Sequence, residues 1–173
     1  MQNYTHLTAR ELESKWLELI GRPIPPVGRS LIIKYLLWYE QAKREKISPL
    51  GFFHKVAQAA KTQMGLCGVI CHSFGIVGQF VEPKKRPNTE FIKILNQAYT
   101  WHQDVINGAS TQTIAKRDKV CVQYVRRILN LSFLSSKIVR AILNGTQPAD
   151  CTLKKLLSIK TSNWQEQEQI FYK

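Results

Sequence analysis

The stretch from Thr111 to Asn130, TQTIAKRDKVCVQYVRRILN, decides how this 173-residue chain is read. Its apolar residues form two short helical patterns on either side of a polar turn. Ile114 and Ala115 belong to the first, Val120 follows the turn, and Val125 and Ile128 belong to the second. Val125 and Ile128 share one helical face and can meet Ile114 and Ala115, the latter small enough for two helices to approach closely. The spacing predicts a helix-turn-helix over residues 111–130, with its second helix from about Val122 to Asn130. The opposite face of that helix shows Gln123, Tyr124, Arg126, Arg127 and Asn130, and Lys116, Arg117 and Lys119 flank the turn. Such side chains read base edges and phosphates. An ordinary amphipathic helix pair with a solvated basic face is the competing account.

Charge is spread unevenly around this stretch. The chain has a formal charge of +13, and residues 83–173, with 15 basic and 6 acidic residues, carry more of it than residues 1–82, with 10 and 6. The excess accompanies the helix pair, as the footprint of a polyanion-binding protein would; general basicity is the alternative. A hydrophobic content of 44% with 10% aromatic residues is enough for a packed core and argues against disorder.

Working outward, Thr8 and Glu11 have capping-box spacing, with Leu7 and Leu12 placed for a hydrophobic staple. Leu12, Trp16, Leu19 and Ile20 share a face that ends at Gly21. After the proline-stiffened RPIPPVGRS, a helix is predicted from about Arg29 to Lys46, with Leu31, Ile32, Tyr35, Leu36, Tyr39 and Ala42 inward and Lys34, Lys43, Arg44 and Lys46 outward. A third helix starts near Pro49 and presents Leu50, Phe53, Ala57 and Ala60. The Gly-rich segment from Gly65 to Val81 fits a short β-hairpin near 66–81 as well as an irregular buried loop. Its apolar run from Leu66 to Val81 is about 16 residues, short of the roughly 20 a membrane span needs. EPKKRPN (82–88) is a hinge in which Lys84, Lys85 and Arg86 are candidate phosphate contacts or a solvated linker. Thr89 caps a helix to Asn107 with Phe91, Leu95, Ala98, Trp101, His102 and Val105 inward. Further helices are predicted from about Ser136 to Leu143, after Thr152, and from Ser162 with Gln165. Trp16, Trp38, Trp101 and Trp164 are read as core anchors.

The tail carries a more specific pattern: Trp101, Ile114-Ala115, Tyr124-Val125, Arg127-Ile128-Leu129, Phe133-Leu134, Ile138-Val139, Ala141-Ile142-Leu143, Gly145, Gln147-Pro148, Leu156-Leu157 and Trp164 with Gln167. From about Leu95 onward the chain resembles the tail of phage-borne serine site-specific recombinases of the resolvase/invertase class. It is similar, more distantly, to the DNA-binding domain of partition proteins. Both resemblances imply duplex DNA binding. Two positions depart from that pattern: Lys119 stands where the turn usually has Gly, and Cys121 where the second helix usually opens with Ser or Thr. A non-Gly residue in a left-handed turn costs roughly 1–2 kcal/mol, and a lost N-cap about 1 kcal/mol. Residues 5–60, through Leu7, Glu11-Leu12, Trp16, Leu19, Gly21, Pro23, Leu31, Leu37, Tyr39 and Gln41, resemble a phage-associated domain of unknown function, which adds context without a mechanism.

No catalytic constellation accompanies these motifs, and no enzyme is expected. Arg29 and Ser30 are adjacent and do not face each other on a helix, and Glu166 and Glu168 are likewise on different faces. His72-Ser73-Phe74-Gly75 has Cys71 where a nucleophile elbow needs Gly, and no helix pattern follows. Cys67, Cys71, Cys121 and Cys151 lack zinc-site or disulfide spacing. Cys67, Cys71 and His72 would need the distant His54 or a water as a fourth ligand, so no metal and no cofactor is expected. MQNYTHLTARELESKW has no signal-peptide pattern.

The expectation is a mainly α, small multi-helix protein. Its parts are a helical N-terminal module (1–62), a Gly-rich buried segment with basic linker (63–88) and a helical DNA-binding domain (89–173). Its expected function is double-stranded DNA binding, sequence-specific or structure-tolerant, as a phage or prophage regulator or recombination accessory protein. The expected setting is cytoplasmic and nucleoid-associated in a bacterial host, with no membrane contact. The alternative is an adaptor that docks on a recombinase or other protein partner, or an inhibitor of a host nucleic-acid machine, using the Trp- and Tyr-rich N-terminal helices as its surface. A folded remnant without activity is a third outcome, suggested by Lys119 and Cys121. Oligomeric state is not written in these patterns.

Overall fold

The computed structural model describes residues 4–63 and 88–173. The segment 65–81, with its hairpin expectation and the Cys67, Cys71 and His72 group, lies outside them, as do the hinge cations Lys84, Lys85 and Arg86. Helices hold 73% of the described residues and none of these forms a strand, so the fold is all-α. No helix among them is long and apolar enough to cross a membrane.

Local chemistry sets the helix boundaries. The Thr8 side chain accepts from the Glu11 amide while the Glu11 carboxylate accepts from the Thr8 amide at 2.6 Å, and this reciprocal box opens α1 (Ala9–Ile20). Gly21, at φ 73°, closes it in the left-handed conformation that glycine takes without steric cost. Next come α2 (Arg29–Arg44) and α3 (Pro49–Gln63). The second of these buries Phe52, Phe53, Val56 and Ala60. Ala57, expected inside, is only partly covered, because the buried stripe is centred one position earlier, on Val56. The side chain of Leu50 lies outside the description. Asn88, and not Thr89, caps α4 (Thr89–Ile106), its Oδ1 accepting from the amides of Glu90 and Phe91. Asn163, and not Ser162, caps α9 (Trp164–Tyr172). In both cases the short Asn amide reaches the free amides of the first turn, and Asn is among the strongest capping residues.

The rest of the chain forms α5 (Thr111–Arg117), α6 (Val122–Leu129), α7 (Ser136–Asn144) and α8 (Leu153–Ser158), with 3-10 turns at Tyr4–His6 and Asn130–Phe133. Helix α4 lies at the centre, against α3 on one side and α6 with the Asn130–Phe133 turn on the other. Residues from both described stretches share one hydrophobic core, in which all four tryptophans are buried. Polar side chains lock the stretches together. Tyr35 donates to the His102 carbonyl at 3.2 Å, and Trp38 Nε1 donates to the Leu134 carbonyl at 3.3 Å. The Gln41 amide donates to the Ser162 carbonyl and accepts from the Trp164 amide, fixing the start of α9.

Candidate nucleic-acid interface

Helices α5 and α6 are joined by Asp118 to Cys121. The Ser110 hydroxyl caps α5 by accepting from the Thr113 amide at 3.0 Å. At its other end the Val120 amide reaches the Ala115 carbonyl at 3.0 Å, and the Lys119 amide reaches the Lys116 carbonyl at 3.4 Å. This six-to-one and five-to-two pair is a Schellman ending, which requires a left-handed residue between helix and exit. Lys119 fills that position at φ 55°, where α4 and α7 use Gly108 and Gly145. Cys121 then opens α6 with no side-chain capping bond. Both departures noted in the sequence therefore sit at positions whose preferred residues have a physical reason.

One side chain of α4 holds this turn in place. The Trp101 indole N–H donates to Asp118 Oδ2 at 2.6 Å, and the edge of its ring meets Tyr124 with centroids 6.0 Å apart. Arg117 also donates to Asp118, at 2.7 Å, and pairs with Asp104 of α4 at 2.8 Å. The bond from Arg117, followed by that from Trp101, holds the Asp118 carboxyl below its ordinary range. The turn is thus attached to the central helix on two sides.

Helix α6 is sharply two-faced. Val125, Ile128 and Leu129 are buried, while Gln123, Tyr124, Arg126 and Arg127 are exposed. Among the described residues neither Arg126 nor Arg127 has an ion-pair partner, and Lys116 and Lys119 are exposed beside them. Two expected members of this surface have other engagements. The guanidinium of Arg117 already faces two carboxylates. Asn130 is only partly exposed, lies in the 3-10 turn beyond α6, and accepts from Lys34 Nζ at 2.7 Å. Two cations join that were not among the expected site residues. Lys34 of α2 shares a cleft with Arg126 and Asn130, and Lys154 of α8 lines a depression with Arg127. Outward-facing cations in α2 were legible in the sequence, but their proximity to α6 was not.

The aromatic residues of the N-terminal helices do not form an outer face: Trp16, Tyr35 and Trp38 are buried. Tyr35 and Trp38 pack against His102, whose ring centroid lies 4.3 Å from that of Tyr35 and 4.9 Å from that of Phe53. Ser132 Oγ donates to the Leu129 carbonyl, so His102 Nδ1 must donate to Ser132 Oγ, 2.9 Å away, leaving Nε2 deprotonated and without a partner among the described residues. Burial pushes its pKa down to about 3. A neutral, enclosed imidazole is a core residue rather than an acid-base group. Among the described residues no His, Cys, Asp and Glu group is placed to hold a metal. No protein-family model matches the chain, and neither a curated protein nor a solved structure was found to match it.

Proposed function

We propose that the protein binds double-stranded DNA through α5 and α6 as a helix-turn-helix, with α6 in the major groove. The observation that carries this is the exposed Arg126 and Arg127 ridge, without an ion-pair partner among the described residues and held outward by an α6 whose other face is buried. Gln123 and Tyr124, near the helix start, are positioned as such helices position their base-reading residues. Lys116, Lys119 and Lys154 flank the ridge as backbone contacts. Arg117 supports the turn through its carboxylate partners. The resemblance of the tail to recombinase tails favours a phage or prophage regulator or recombination accessory protein.

Gel-shift titration of wild type and the Arg126→Ala, Arg127→Ala double variant over a salt series tests this. The logarithm of wild-type affinity should fall linearly with the logarithm of salt concentration. The double variant should bind more weakly and with a shallower slope, and each base-reading Arg should contribute ~1–3 kcal/mol. Equal, salt-independent behaviour of the two proteins would refute it.

A further inference from the structure

Between α2 and α6 lies a cleft of about 370 Å³, within the range of roughly 300–1,000 Å³ that ligand clefts occupy. Leu31 and Leu129 form its apolar lining, while Ser30, Lys34, Arg126 and Asn130 supply the polar groups. No carboxylate among the described residues lines it, in contrast to Arg117, whose charge is matched twice. Lys34 is partly buried there, and among the described residues its one bond is to the neutral amide oxygen of Asn130. Desolvation lowers its pKa, the direction expected of a buried cation without a counter-charge. Two cations from helices far apart in sequence thus converge on one cavity whose described lining holds no acid, and a hydroxyl donor stands beside them. An anion with several acceptor oxygens would satisfy all three groups.

We propose that this cleft binds a phosphate group, and that on duplex DNA it takes a backbone phosphodiester beside the groove occupied by α6. The DNA part rests on the function proposed above; the phosphate chemistry of the cleft stands apart from it. Lys34 would clamp the backbone while Arg126, on the opposite wall, spans the cleft and the groove. Residues 4–63 thereby contribute directly to binding, in addition to completing the core.

The test uses the full chain as wild type, Lys34→Gln and Lys34→Arg, with two probes: a random-sequence duplex over a salt series, and inorganic phosphate followed by thermal unfolding. Lys34→Gln should weaken duplex binding several-fold and reduce the log–log salt slope by about 0.9, the value for one phosphate contact. Lys34→Arg should restore most of that slope, which a merely misfolded variant would not do. If wild type binds duplex and Lys34→Gln keeps the full slope, the clamp is overturned while the function of α6 stands. If wild type ignores duplex but inorganic phosphate raises its melting temperature and Lys34→Gln abolishes the rise, the cleft is a free-phosphate site and the DNA assignment fails. If neither probe responds to Lys34, the cleft proposal is wrong.

Discussion

Trp101 and Asp118 are joined by a 2.6 Å hydrogen bond from the indole N–H to the carboxylate, tying the turn before α6 to the centre of the protein. The same indole meets Tyr124 edge-on, so one buried side chain fixes both the turn and the start of the exposed helix.

Replacing Trp101 by Phe removes this donor and part of the buried volume. The expected loss is about 2 kcal/mol, since hydrogen bonds to charged groups are worth roughly 1.5–3 kcal/mol and some water can reach Asp118. Urea unfolding should show a lower midpoint. DNA affinity should fall through disorder of α6 with little change in salt slope, because no cation is removed.

Lys119→Gly and Cys121→Ser should each stabilise the protein by about 1 kcal/mol, the first by relieving a left-handed side chain and the second by restoring a cap. For a chain of this size that corresponds to roughly 2–4 °C in melting temperature per substitution. A drop in melting temperature for Lys119→Gly would mean that the side chain contributes more than its backbone strain removes. Cys121→Ser should leave the salt slope unchanged.

His102 makes stability pH-dependent. Its folded pKa, lowered to about 3 from an ordinary 6.5 by burial, means that the unfolded chain binds the extra proton throughout that interval. The contribution is therefore complete above the unfolded value and is lost as pH falls towards the folded one, at up to about 1.4 kcal/mol per pH unit. Carboxylates add their own acid dependence at the lower end. The comparison should thus be between wild type and His102→Gln from pH 7 to pH 4, and the variant should show the shallower decline. Parallel curves would show that the imidazole takes up its proton without unfolding.

Arg117 and Lys116 are neighbours with opposite expected behaviour. Arg117→Ala breaks contacts to Asp104 and Asp118 and should lower the unfolding midpoint while leaving the salt slope of DNA binding nearly intact. Lys116→Ala should leave stability within about 0.5 kcal/mol and reduce the slope by about 0.9. The reverse pattern would assign the phosphate contact to Arg117.

Much of this was determined by the sequence itself. The cap at Thr8, the glycine endings at 21, 108 and 145, and the inward face of α6 through Val125 and Ile128 depend on groups within one or two helical turns, so residue type and spacing suffice. The left-handed turn at Lys119 was legible only through the resemblance, which places Gly at that position. Tertiary structure alone decided which cations remain free. Arg117 looks like Arg126 in the sequence, yet Asp104, on another helix, neutralises it. Asn130 and Lys34 lie 96 positions apart, and only the packing of α2 beside the end of α6 makes them partners. Hydrogen-bond and charge chemistry act over a few ångströms of space, whatever the distance along the chain.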